Sequence, residues 1–121
     1  MGKMKKRNEL SKRLLNFAVS VIKFMRTLPK TVEYNVIRYQ LIKSSTSSGA
    51  NYAEAQAGSS RADFHNKVNI SLKEMSESNY WLEVIKAILD AKQNEKELDW
   101  LINESEELDN ILGSIVKKTG K

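Results

Sequence analysis

The chain has no cysteine and a single histidine, His65. The lack of thiols excludes disulfides, thiolate metal sites and cysteine nucleophiles, and it is compatible with a reducing, cytoplasmic setting. With one imidazole and no Glu-x-x-His pair, neither a multi-ligand metal site nor a di-iron bundle centre is expected. A serine nucleophile would need an activating base held by a third group, and no second histidine or G-x-S-x-G turn accompanies Ser44 to Ser48. The sequence therefore points away from an enzyme and from any cofactor, and His65 reads as a surface or cap-proximal residue. Proline occurs once, at Pro29, and no apolar run approaches the roughly 20 residues that span a bilayer, so no membrane partner is expected.

What the chain does have is positive charge, unevenly placed. Residues 1–30 carry nine Lys/Arg (Lys3, Lys5, Lys6, Arg7, Lys12, Arg13, Lys23, Arg26 and Lys30) against Glu9 alone, a balance of +8. The remaining residues carry eleven basic and fourteen acidic groups, which returns the net charge to +5. A basic start followed by an apolar stretch is also the outline of a signal peptide. Here Lys23 and Arg26 interrupt or follow the apolar stretch, no small-x-small cleavage site comes after it, and the pattern is amphipathic, so it reads as a mature first helix.

At 121 residues the chain is one domain by the usual size prior. Residues 1–8 read as a basic flexible tail and residues 9–119 as one helical domain, with helices over about 9–27, 32–57, 61–91 and 95–118. In the first helix Leu10, Leu14, Phe17, Val21, Phe24 and Leu28 share a face that Leu15, Ala18, Ile22 and Met25 widen. Pro29 ends it, and Thr31 is placed to cap the second. Gly58-Ser59-Ser60 ends the second helix; Ser60 with Asp63, and Asn94 with Glu97, have capping-box spacing ahead of the third and fourth. Short connections imply antiparallel neighbours, hence an all-α, up-down-up-down four-helix bundle.

The segment around which the chain is organised is LIKSSTSSGANYAE, Leu41 to Glu54, where seven small residues interrupt an apolar helical pattern. Propensity favours a loop, since Ser and Thr hydroxyls compete for backbone hydrogen bonds and Gly49 costs about 1 kcal/mol relative to Ala. Continuous helical phase favours a helix, with Val32, Val36, Tyr39 and Leu41 before the run and Tyr52, Ala53 and Ala55 after it on overlapping faces. One long helix with a low-bulk face is expected, against which another helix packs closely.

From this segment to Leu82 the sequence resembles the core signature of the four-helix-bundle family known as 23S rRNA-intervening-sequence proteins. The matching residues are Ser45, Ser48, Asn51, Ala53, Glu54, Ala55, Ser60, Arg61, Asp63, Phe64, Leu72, Glu74 and Leu82, with Asp63 standing where that family often has Glu. Including the Leu28-Pro29-Lys30 turn, the resemblance spans roughly Leu10 to Leu89. It implies bacterial origin, a link to intervening sequences in ribosomal RNA genes, and kinship with accessory proteins of diversity-generating retroelements. Those relatives form pentameric rings that bind nucleic acid and a reverse transcriptase, which implies a homo-oligomer, a pentamer by analogy.

Among the signature residues, Ser48, Asn51, Glu54, Arg61, Asp63, Phe64 and Glu74 are expected to be structural. Asn51 and Glu54 share a helical face beside the small-residue run, with Glu54 within reach of Arg61, Lys67 or Lys73 of an antiparallel third helix; they are expected to satisfy buried polar partners and fix register, the alternative being a ligand or nucleic-acid contact. The expected function is non-specific binding of nucleic acid, structured RNA above all, because Lys and Arg neutralise phosphates and release counterions. The candidate contacts are Lys5, Lys6, Arg7, Lys12, Arg13, Lys23, Arg26 and Lys30. The alternative is a protein-interaction scaffold that uses Tyr80, Trp81 and Trp100 as an apolar surface.

Overall fold

The computed structural model describes residues 2–58, 60–90 and 94–120, with side chains from residue 9 onward. Four helices follow one another: α1 Gly2–Met25, α2 Val32–Ala57, α3 Arg61–Ile88 and α4 Glu95–Thr119. No strand occurs among the described residues. Consecutive helices pack on each other and α4 returns to α1, which closes an all-α four-helix bundle. The helix of α1 begins at Gly2 rather than near Glu9, because the strong helix formers Lys3, Met4, Lys5 and Lys6 meet no breaker. The side chains of residues 1–8 lie outside the described residues.

Each helix buries a seven-residue repeat. Leu10, Phe17 and Phe24 alternate with Leu14, Val21 and Leu28 on α1 and the turn after it. On α2 the lines are Tyr34, Leu41, Ser48 and Ala55 beside Ile37 and Ser44; on α3, Val68, Met75 and Leu82 beside Ser71, Ser78 and Ile85; on α4, Leu98, Ser105 and Leu112 beside Leu101 and Leu108. This is the spacing that keeps one seam facing a neighbour at shallow crossing angles.

On α2 the hydropathy pattern points to the wrong phase over the first three turns. Val32, Val36 and Tyr39 are 80%, 54% and 65% exposed, and Ala53 is also outward. The helix is rotated so that Ser44, Ser45 and Ser48 face its neighbours in line with Tyr34, Ile37 and Leu41, and Val32, Val36 and Tyr39 are left outside. Leu15 on α1, 65% exposed, likewise does not widen the core.

The buried serines explain the rotation. Ser48 Oγ donates to Ser71 O (2.8 Å) while Ser71 Oγ donates to Ser48 O (2.7 Å), and Ser44 Oγ lies 2.7 Å from Ser78 Oγ. These hydroxyls satisfy one another and backbone carbonyls across the α2/α3 seam, so burial costs no unpaired polar group. Their small bulk lets two backbones approach closely enough for side chain to reach main chain on both sides.

The helix ends are fixed locally. Thr31 Oγ1 accepts from Tyr34 N (3.3 Å) and Ser60 Oγ from Asp63 N (3.0 Å). Asn94 makes no such cap; its amide donates instead to Thr27 Oγ1 (3.2 Å) in the α1–α2 connection, because its backbone (φ −105°, ψ 8°) is not the extended form a cap needs. Arg38 has a capping role that no local pattern announces. Its guanidinium donates to the carbonyls of Met25 (3.1 Å), Leu28 (3.0 Å) and Pro29 (3.2 Å), satisfying orphan groups at the end of α1.

The seam makes a specific prediction. Ser48→Leu should lower stability by about 1–3 kcal/mol or more from overpacking in urea denaturation. The double change Ser48→Ala with Ser71→Ala removes both hydroxyls together, leaves no orphaned hydroxyl, and should cost less than the sum of the two single changes.

Candidate nucleic-acid interface

Lys12, Lys23, Arg26 and Lys30 are all exposed, and none forms an ion pair with a described residue. Lys12, Leu15, Val19 and Lys23 of α1, and Arg26 in the turn directly after it, fall three or four residues apart, so they share one outward stripe. Its centre is apolar, with Leu15 and Val19 both exposed. The positive charge therefore lies at the two ends of the stripe, about 16 Å apart at the rise of a helix. Lys5, Lys6 and Arg7 continue α1 toward its start, and their side chains lie outside the described residues.

Arg13 is placed differently from the other candidates. Its Nε donates to Glu104 Oε2 (3.0 Å) and its Nη2 to Glu104 Oε1 (2.7 Å) and Glu107 Oε1 (3.0 Å). The paired hydrogen bonds to Glu104 and the adjacent Glu107 charge raise the guanidinium pKa above its already high usual value, against a smaller opposing effect of burial. With its charge matched by two carboxylates, Arg13 ties α1 to α4 and offers little to a phosphate.

A second basic group lies at the end of the bundle where α1 and α3 begin and α2 and α4 finish. Arg61 Nη2 donates to the Lys118 carbonyl (3.5 Å), and Arg61, Lys117 and Lys118 are exposed. His65 Nδ1 lies 2.8 Å from Thr119 Oγ1, joining the first turn of α3 to the last of α4. The Lys117-Lys118 pair is visible in the sequence, but only the antiparallel topology brings it to the start of α1.

The signature residues are engaged within the protomer. Asn51 Nδ2 donates to Ser47 O (2.9 Å) and Ser47 Oγ (3.1 Å) in its own helix, so it does not reach a buried partner on α3. Glu54 is exposed and pairs with Lys67 at 2.8 Å, one of the three cations expected within its reach. Asp63 occupies the capped first turn of α3, and Phe64 packs half-buried on the core. Glu74 is half-buried, and burial, with the Glu77 charge second, raises its carboxyl pKa while Lys43 opposes the shift.

The aromatic candidates do not form one surface. Trp81 falls on the Lys67–Glu74 line of α3, toward α2, where it packs half-buried on the core and donates Nε1–H to Glu77 Oε2 (3.0 Å). Tyr80, 60% exposed, meets it edge to face with ring centroids 5.2 Å apart. Trp100, 46% exposed, lies one heptad before Glu107 on the α1 side of α4.

Among the described residues, no helix is long and apolar enough to cross a membrane. No curated protein matches the chain. A crystal structure of a protein of unknown function from the S23 ribosomal protein family of Bacteroides thetaiotaomicron is similar to it at 37% identity and a TM-score of 0.80, covering 93% of this chain and 98% of that one. The model of the 23S rRNA-intervening sequence protein family matches residues 6–114, and the chain belongs to that family.

Proposed function

We propose that the protein is a non-enzymatic bundle that binds structured RNA without base specificity, through phosphate contacts from α1, and that it works as a homo-oligomer in the bacterial cytoplasm. The observation that carries this reading is that Lys12, Lys23, Arg26 and Lys30 are exposed and form no ion pair with a described residue, whereas Arg13 is held by Glu104 and Glu107 of α4. Unpaired cations keep their counterions until a phosphate displaces them, which is the source of salt-dependent affinity. Four cations on a protomer make a weak site, and repetition around an oligomer makes the contacts act together. A pentameric ring and a reverse transcriptase partner follow only by analogy with the retroelement accessory proteins.

A specific observation favours a second reading, a protein-interaction scaffold. Val32, Val36 and Tyr39 recur at i, i+4 and i+7 on the outward face of α2, directly opposite its buried line. Apolar side chains concentrated on an outward face mark interfaces more often than isolated ones do. This patch, with Tyr80, is a stronger docking candidate than a joint Trp81 and Trp100 surface.

Three outcomes test these readings. Changing Lys12, Lys23 and Arg26 together to Ala should weaken binding to a mixed-sequence structured RNA and flatten its log–log salt dependence by roughly 0.7–0.9 for each phosphate that is no longer neutralised; retained affinity would remove the mechanism. Arg13→Ala should act on stability instead, costing about 1–3 kcal/mol in urea denaturation because Glu104, whose side chain is 12% exposed, is left without its cation. Light scattering should give a mass several-fold above the 13.8 kDa protomer, and a monomer at micromolar concentration would sink the oligomeric part of the reading.

A further inference from the structure

The four seams of the bundle are not equally closed. α1 packs on α4 less extensively than the other neighbouring helices pack on each other, and the Arg13 clamp to Glu104 and Glu107 ties the two together. Between that clamp and the end of the bundle where α4 finishes, the two helices flank a groove of about 1170 Å³. Its deep floor, Leu10, Tyr52 and Ala55, is already buried; the apolar surface it offers comes from Phe64, Ile111 and Ile115, each half-buried. Glu9 sits on one lip, and Arg61 and Lys118 on the other.

We propose that this groove docks an amphipathic helix of a partner protein, with apolar residues on Phe64, Ile111 and Ile115 and acidic residues against Arg61 and Lys118. Three properties converge on that occupant. The groove runs between two helices and presents half-buried apolar side chains from α4 and the first turn of α3, the kind of arrangement that receives a helix through i, i+3, i+4 and i+7 anchors. The space suits it: a helical cylinder about 10–12 Å across and two turns, about 11 Å, long encloses on the order of 850–1,200 Å³.

The third property is charge. Neither Arg61 nor Lys118 has a carboxylate partner among the described residues; the one hydrogen bond of the Arg61 guanidinium is to a carbonyl. Lys117 follows on α4 and is also exposed. Of the carboxylates nearby, Glu54 is held by Lys67, while Glu9 on the facing lip and Asp63 in the first turn of α3 are outnumbered by Arg61, Lys117 and Lys118. An acidic partner is therefore attracted to the open end and a basic one repelled. The proposal stands apart from the RNA reading, since it uses Arg61 and Lys118 rather than Lys12, Lys23 and Arg26, and an apolar floor that a phosphate backbone does not need.

The test uses the full chain and a fluorescein-labelled helical peptide with Leu at i, i+3, i+4 and i+7 and Glu flanking them, next to a twin with Lys for Glu. Fluorescence anisotropy should show the acidic peptide binding at least ~10-fold more tightly than its twin. Arg61→Glu with Lys118→Glu should reverse that order while leaving RNA affinity largely unchanged. Ile111→Ser with Ile115→Ser should weaken the acidic peptide ~10-fold, with circular dichroism confirming that each variant is folded. Equal binding of both peptides, or an affinity indifferent to the charge reversal, overturns the proposal. RNA affinity that falls with Arg61 and Lys118 while the peptide does not bind assigns the site to phosphates and overturns it as well. A solution mass that falls as the peptide saturates means that a second copy fills the groove, which overturns the assignment to a separate partner.

Discussion

The α2/α3 seam is the constraint on which the rest of the structure depends. Buried hydroxyls normally cost free energy, and here each is satisfied by a hydroxyl or carbonyl of the facing helix. The reciprocal bonds between Ser48 and Ser71 exist in one register only, because a shift along the seam would leave both hydroxyls and both carbonyls to find other partners. An apolar seam of the same width would be adhesive and less particular. Polar pairing thus trades some adhesion for a fixed alignment, the role best attested for buried polar groups in helical seams.

That alignment propagates. Once α2 turns its serines inward, Val32, Val36 and Tyr39 must turn outward, since they lie half a turn from the buried line. Once α3 is in register with α2, its other flank presents Asn79 to Ser105 of α4, where the amide donates at 2.8 Å, and Lys86 to Asp99. The last seam, between α4 and α1, is the least extensive of the four, and the Arg13 clamp ties it beside the groove. The exposed apolar face of α2 and the groove beside α4 are both consequences of the serine seam.

This ordering also accounts for what could be read from the sequence. Element number, the starts of α2, α3 and α4 and the caps at Thr31 and Ser60 were legible, because Pro29, Gly58 and the capping residues act locally, whereas the start of α1 at Gly2 was not. The phase of α2 was not, because hydropathy ranks Val and Tyr above Ser, and only the facing serines of α3 reverse the order. Asn94 failed for a related reason: its amide had a tertiary partner in Thr27 that no local pattern announces. Arg13 looked like its basic neighbours, and what distinguishes it is a carboxylate pair some ninety residues away in sequence. Long-range polar partners are the part of a fold that periodicity does not encode.

The same partition bears on how much charge α1 can offer. A uniform basic stripe would bind a phosphate backbone along its whole length, whereas here Leu15 and Val19 separate Lys12 from Lys23 and Arg26. Each end supplies a few exposed cations, and non-specific binding scales with the number of phosphates neutralised. By that scaling, one protomer with so divided a surface would hold RNA only weakly at physiological salt under the proposed function. Affinity of consequence then requires several protomers on one RNA, and an oligomer needs a surface on which copies meet. The outward apolar residues of α2 are one uncommitted surface of that kind, so the rotation imposed by the serines would link the packing of one protomer to the number of protomers that RNA binding would need.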